Sequence, residues 1–214
     1  DPTQQGSDHH HRIMEGERHG TGEPRLQLQP HEAREHDQAK AQAALLEQVF
    51  TEHSIEAVLH FAAFAFVGES VTDPLKYYRN NLAAPLTLLE TMQKHGCKLF
   101  IFSSTCATYG NPQRVPMDES HPQEPVNPYG ASKQMLERVM KDCGTAWGLR
   151  AVFLRYFNAS GCDLDGEIGE DHNPETHLIP RAMMAVQGHL SDFAIYGNDY
   201  DTVDGTAVRD FIHV

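Results

Sequence analysis

Basic residues are scarce. Lys and Arg total 17 against 30 Asp and Glu, a formal net charge of −13 in 214 residues with a pI near 5.4. An acidic surface repels phosphate backbones, which argues against a nucleic-acid partner. Cysteine is nearly as sparse: Cys97, Cys106, Cys143 and Cys162 form no Cys-x-x-Cys pair, so neither a zinc ribbon nor a disulfide framework is expected. No apolar run approaches the roughly 18 residues of a membrane span, and no signal-peptide pattern opens the chain. These absences lead to the expectation of a reduced, cytoplasmic protein with no membrane partner.

Hydropathy is low on average, −0.50, but unevenly spread. Residues 1–40 are crowded with Gln, His, Glu and Arg without periodicity, and read as an unstructured segment. The tract His9-His10-His11 within it reads as solvated rather than as a metal site, and no metal is expected elsewhere. Order begins near Ala41. Ala44, Leu45, Val49 and Phe50 recur at helical spacing and predict a helix over 41–53. The uncharged run 57–63 predicts a strand buried on both faces, as in a parallel sheet.

Asp73-Pro74 is a helix start, with a capping Asp and Pro at the first helical position, and Gly96 is placed to end that helix after His95. A second strand follows over 98–104, a proline-rich loop over 111–128, a helix over 129–147 and a third strand over 151–156. Helix and strand alternate throughout, which predicts an α/β fold with a doubly wound parallel sheet, Rossmann-like. Beyond Asn158 the texture changes to a Gly/Asp-rich loop, a helix near 176–188 and short strands at 193–196 and 208–214. This reads as part of a small α/β lobe laid over the sheet's strand ends. The expected division is 1–40 without fold, 41–157 as a partial dinucleotide-binding domain and 158–214 as a partial substrate region.

Tyr129-Gly130-Ala131-Ser132-Lys133 sets Tyr and Lys four apart, on one helix face. A phenol with a pKa near 10 is a poor base, and lowering it by about 3 units asks for roughly 4 kcal/mol of preference for the anion. A close ammonium and a second bound cation are able to supply that. Alone, the spacing is equally that of an exposed pair at a helix start. Context adds to it: Ser103-Ser104-Thr105 ends a buried strand, where open α/β sheets place ligands. Thr105 is therefore a candidate hydroxyl beside Tyr129, although ordinary turn chemistry would also explain a Ser/Thr run there.

Several blocks together resemble the extended short-chain dehydrogenases of the sugar-nucleotide epimerase family. They are His60-Phe61-Ala62-Ala63, Val67-Gly68-Glu69-Ser70, Tyr78-Arg79-Asn80-Asn81, the stretch from Phe102 to Gly110, Asn127 to Lys133, and Leu154 to Asn158. Gly169-Glu170-Asp171, His177-Leu178-Ile179-Pro180, Gly197 to Tyr200, Asp204-Gly205-Thr206 and Val208 to Val214 narrow the resemblance to the UDP-galactose 4-epimerase branch. It covers about 44–214.

The resemblance implies NAD as cofactor, a UDP-sugar as substrate, and reversal of the sugar's carbon 4 through a 4-keto intermediate, as in galactose metabolism. It implies Tyr129 as catalytic base and acid, Lys133 as its electrostatic partner and a ribose contact, and Thr105 as hydrogen-bond partner of the sugar 4-hydroxyl. Phe61, Ala62, Ala63, Asn81, Ser103 and Tyr156 fall where the family touches NAD. Asn158, His177, Leu178 and Arg209 fall where it holds the UDP-sugar. It also implies a homodimer through helices 73–95 and 129–147, whose apolar faces are equally able to pack within one chain.

Three departures qualify it. The family's glycine-rich turn is not found, because Gly16, Gly20 and Gly22 are wrongly spaced and no buried strand precedes them. Ala65 stands where many members carry lysine, and the chain stops at Val214, before the rest of the family's substrate lobe. The 214-residue chain is accordingly expected to bind NAD poorly and to turn over little. The alternatives are a 4-epimerase for UDP-xylose/arabinose or an N-acetylhexosamine, and a noncatalytic Rossmann-like binding protein. A dehydratase fits less well, since Cys106-Ala107 stands where such enzymes place Asp-Glu.

Overall fold

The structure, a computed structural model, describes residues 30–172 and 174–214, with side chains from residue 40 onward. The chain divides into two compact units, Asp1–Gln38 and Ala39–Val214. The first is described only as the opening turns of a helix, and the rest of 1–40, including the histidine tract, lies outside the described residues. That helix, α1, runs Pro30–Glu52, starting well ahead of the predicted 41. Pro suits a first helical turn, and the Glu-, Ala-, Gln- and Lys-rich sequence behind it is made of good helix formers.

In the second unit β1 (Ala57–His60) is shorter than the apolar run that announced it. The chain leaves the sheet after His60 and forms a short helix, α2 (Val67–Thr72), which periodicity did not reveal. The predicted helix 73–95 is present in three joined parts: α3 (Pro74–Tyr78), a π turn over Arg79–Ala83, and α4 (Ala84–His95). Asp73 caps α3 through the Lys76 N–H. Pro85 lacks an N–H for the carbonyl four residues back, and the helix widens into the π turn just ahead of it. Gly96, at φ 72°, turns the chain out of α4.

Then come β2 (Leu99–Ser103), a 3-10 turn (Cys106–Thr108), α5 (Pro128–Trp147) and β3 (Arg150–Leu154). Strands β1, β2 and β3 lie side by side in that order, both pairings parallel. The core gathers Phe100 and Phe102 of β2 with Leu89 and Met92 of α4, Leu136 and Met140 of α5, and Phe50 of α1. Phe100 and Phe102 share one sheet face, so these helices cover that face. On the other, Leu59 and Val152 are more than half exposed. The parallel α/β fold is as expected; burial on both faces is not found among the described residues, because the described helices supply only one covering layer.

Past the sheet, β4 (Asn158–Ser160) pairs in parallel with β5 (Phe211–His213), and α6 (Leu178–Val186) lies between them in sequence. Residues 193–196 are not a strand, having no ladder partner. No described helix is long and apolar enough to cross a membrane.

Candidate active site

The carboxyl ends of β1, β2 and β3 carry the segments 61–66, 104–109 and 155–157 on one edge of the sheet. Helix α5 brings its first turn to the same edge. Pro128 opens it and Asn127 Oδ1 accepts the Gly130 N–H at 2.8 Å. Gly130 is required there: a Cβ at this position would lie 2.4 Å from the carbonyl oxygen of Ala107. That close approach sets Tyr129 against the turn that begins at Thr105.

Thr105 is buried and extended, and its Oγ1 accepts the Ala107 N–H at 3.1 Å. Its single proton is thus left to point elsewhere, and its hydroxyl acts on the Tyr129 phenol. Burial pushes that phenol above its ordinary value, and Thr105 only partly opposes the rise. Lys133 is buried too, with Nζ donating to the Ser103 carbonyl at 2.9 Å and lying 4.7 Å from the Phe102 ring centre and 5.9 Å from that of Tyr129. Burial lowers its ammonium from 10.5 to about 8. In the protein by itself, desolvation of the phenol outweighs a lysine engaged elsewhere, so the second cation named from the sequence is needed to lower it. His60, at the end of β1, is held neutral by burial and by the charge of Lys133, and its Nδ1 has no hydrogen-bond partner among the described residues.

Asn81, on the π turn, is fully buried. Its Oδ1 accepts the Phe64 N–H and its Nδ2 donates to the Phe64 carbonyl, each at 3.0 Å. A longer contact, 3.4 Å, reaches Ser132 Oγ on α5. Tyr77 Oη adds contacts at 2.7 Å to the Phe66 carbonyl and 2.8 Å to Glu69, and burial with the Glu69 carboxylate raises its phenol to about 12. These two residues fasten the loop that follows β1, so Asn81 acts on Phe61, Ala62 and Ala63 through the backbone of 64. Phe61 and Ala62 are exposed and Ala63 half-buried.

The group that sequence reasoning missed lies one turn along α5. Glu137 is 1% exposed and meets Arg155 twice, at 3.0 Å through Nε and 2.6 Å through Nη2, with Ser104 Oγ donating at 2.6 Å and Gln123 at 3.1 Å. Burial alone would raise this carboxyl, but the donors of Arg155, Ser104 and Gln123 together hold it below its ordinary value. Arg155 also donates to Tyr109 Oη at 2.9 Å. Tyr129, Lys133 and Glu137 recur every fourth residue on α5, but nothing in the sequence marks Arg155 as the partner of Glu137. Tyr156 is tied in through its carbonyl, which accepts the Cys106 N–H at 2.9 Å.

Asn158, His177, Leu178 and Arg209 line one pocket of about 210 Å³. A neighbouring cavity of about 540 Å³ shares Leu178 and Arg209 with it and adds Arg181, Phe193 and Tyr196. Two arginines beside two aromatic rings suit a diphosphate joined to a flat base. Arg181 was not foreseen from sequence. A further cavity, about 670 Å³, shares Tyr156 but has Asp118 and Glu119 in its wall and includes none of Thr105, Tyr129 and Lys133.

A family sequence model described as NAD dependent epimerase/dehydratase matches residues 5–214. The chain belongs to that family. It is similar to the UDP-glucose 4-epimerase of Rhizobium meliloti (strain 1021), 56% identical over 169 residues, which are 79% of this chain and 52% of that protein. The solved UDP-glucose 4-epimerase of Brucella ovis, in complex with NAD, matches with a TM-score of 0.77 and 54% identity over 82% of this chain and 54% of that one. The epimerase of Bifidobacterium longum, in complex with NAD+ and UDP, gives 0.75 and 44% over 80% and 52%. The chain spans about half the length of the curated relatives it matches. The Rossmann-like parallel α/β fold of these epimerases is the fold of this chain.

The donor set fits the cofactor that gives the family its description. Lys133 carries three N–H groups and spends one on Ser103, with no further acceptor among the described residues, which leaves two for vicinal hydroxyls such as those of a ribose. The Phe61-Ala62-Ala63 segment, largely exposed, follows β1 at the same edge of the sheet.

Proposed function

We propose that the protein is a UDP-hexose 4-epimerase acting on UDP-glucose and UDP-galactose in galactose metabolism, with this chain carrying its catalytic group and much of its sugar-nucleotide pocket. The observation behind this is the meeting of Thr105, Tyr129 and Lys133 at the strand ends of a chain that is 56% identical over 169 residues to a UDP-glucose 4-epimerase. Residues 41–157 form the NAD-binding part and 158–214 the UDP-sugar part.

Lys133 would hold NAD through its two uncommitted N–H groups, with Ser103, Tyr156 and the Phe61-Ala62-Ala63 segment around it and Asn81 fixing that segment. NAD, when bound, supplies a positive charge beside the phenol and a place for the hydride of sugar carbon 4. Tyr129 Oη takes the proton of the 4-hydroxyl and later returns it. Thr105 Oγ1 donates to the same sugar oxygen and fixes its direction. Lys133 Nζ keeps a cation beside the phenolate as it forms. Arg209 and Arg181 bind the diphosphate, Phe193 or Tyr196 stacks on the uracil, and Asn158, His177 and Leu178 line the pocket floor. Free thiols at all four cysteines suit a reducing, cytoplasmic setting. A homodimer through 73–95 and 129–147 completes the reading.

The test is conversion of UDP-galactose to UDP-glucose, with NAD, by a protein of the relatives' length that contains these residues. The 214-residue chain alone is expected to turn over far more slowly. Faster conversion of a UDP-pentose or UDP-N-acetylhexosamine would shift the substrate within the class. Binding of UDP-sugars without any conversion would make the protein a noncatalytic binder.

A further inference from the structure

The loop from β4 to α6 draws Glu170, His172, Glu175 and His177 together, with one ligand atom from each lying within 4.8 Å of all the others. His177 Nδ1 is 2.9 Å from Glu170 Oε1 and 2.9 Å from Glu175 Oε1. His172 Nδ1 is 3.2 Å from Glu170 Oε1 and 3.8 Å from Glu175 Oε2. The two carboxylates are 17% and 10% exposed, so water does little to separate their charges.

Protons do not satisfy this arrangement. A ring nitrogen carries at most one hydrogen, yet Nδ1 of His177 faces two carboxylate oxygens at the same distance. One hydrogen is then shared between two anions, a three-centre arrangement weaker than two full hydrogen bonds. A cation among the four groups removes the conflict, with both imidazoles neutral and offering lone pairs. Ligands about 2.0–2.2 Å from a tetrahedral ion lie roughly 3.3–3.6 Å apart. Glu170 Oε1 lies 2.9 and 3.2 Å from the two Nδ1 atoms, His172 Nδ1 lies 3.8 Å from Glu175 Oε2, and the four groups each offer an atom within 4.8 Å of the others, a spread around that value. Glu175 is further fixed by the N–H groups of Thr176 and His177, each donating to Oε1 at 2.7 Å, which orients the carboxylate and leaves Oε2 as the oxygen open to a cation.

We propose that Glu170, His172, Glu175 and His177 form a structural site for one divalent cation of the zinc class. Two imidazoles and two carboxylates favour a borderline ion over calcium or magnesium, which take all-oxygen shells. The histidines are nearly half exposed, leaving a route for entry. The ion's effect is on shape: Glu170 and His177 also line the small pocket with Asn158, Leu178 and Arg209, so a metal there fixes one wall of the sugar-nucleotide site. The site itself stands whether or not the proposed activity does.

The experiment is titration of the metal-free 214-residue chain with zinc ions against a chromophoric chelator. The parent carries His9→Ala, His10→Ala and His11→Ala, to remove binding by the histidine tract. One zinc per chain is expected, with affinity lowered at least about tenfold by His172→Gln or Glu170→Gln and stoichiometric binding abolished by His172→Gln with His177→Gln. Zinc is expected to raise the Tm of the parent and not of that double variant, while the two metal-free proteins melt alike. No zinc uptake by the parent, or equal uptake by the double variant, overturns the proposal.

Discussion

Lys133 Nζ donates to the carbonyl oxygen of Ser103 at 2.9 Å, joining the first turns of α5 to the end of β2. The lysine is buried to do so, and burial lowers its pKa from 10.5 to about 8. Between those values the unfolded chain binds more protons than the native one, so stability rises with pH. This contribution is fully present above about 10.5 and is lost as pH falls through about 8. Urea denaturation across that range is expected to show wild type gaining on Lys133→Met as pH rises. A pH-independent difference between the two would refute the burial argument.

The Glu137–Arg155 pair is structural in a different sense. Glu137→Gln strands a half-buried guanidinium and is expected to cost about 3–5 kcal/mol in chemical denaturation at neutral pH. Replacing both partners by Leu and Met should recover much of that. Because the folded Glu137 carboxyl titrates below its ordinary 4.5, its stabilisation is full above that value and lost as pH falls through the lower folded pKa. The gap between wild type and Glu137→Gln should therefore narrow in acid.

Asn81 predicts a local effect. Asn81→Ala removes both partners of the Phe64 backbone and is expected to cost about 1–3 kcal/mol. Hydrogen exchange at the Phe64 amide should accelerate. Asn81→Asp keeps the acceptor that serves this amide, so it should restore much of the protection while losing the bond to the Phe64 carbonyl. Equal exchange in the two variants would deny Asn81 its role as a clamp.

Gly130→Ala separates packing from propensity. Alanine is the better helix former by about 1 kcal/mol, yet its methyl would meet the Ala107 carbonyl at 2.4 Å. Overpacking of this kind costs typically about 1–3 kcal/mol. A net loss of stability in urea is expected, and a gain would show that the two backbones are not in contact.

How far the sequence could be read depended on whether a signal was local. Asp73-Pro74, Gly96 and Asn127-Pro128 announced their helix ends because caps act over one turn. The strand centres were legible from apolar runs, but their faces were not: Leu59 and Val152 look like core residues in sequence and are half exposed, since coverage depends on what packs above them. Thr105, Tyr129 and Lys133 could be grouped because motif spacing and strand ends both pointed to them. Glu137 and Arg155 could not, because each is an ordinary charged residue until the sheet edge brings α5 and the end of β3 together. The cluster at Glu170, His172, Glu175 and His177 was likewise passed over. Its spacing follows no common zinc pattern, and only the loop's fold brings the four groups within reach. Residues 193–196, Phe-Ala-Ile-Tyr, form no strand, because a short apolar run says nothing of a ladder partner.

The central claim rests on Tyr129 as the group that moves the sugar's proton. The most direct measurement is the rate of UDP-galactose conversion, with NAD, by a protein of the relatives' length and by its Tyr129→Phe variant. The account predicts that the variant binds UDP as well as the parent does and converts UDP-galactose about 10²–10⁴-fold more slowly. Tyr129→Phe turning over at the parent's rate would contradict it.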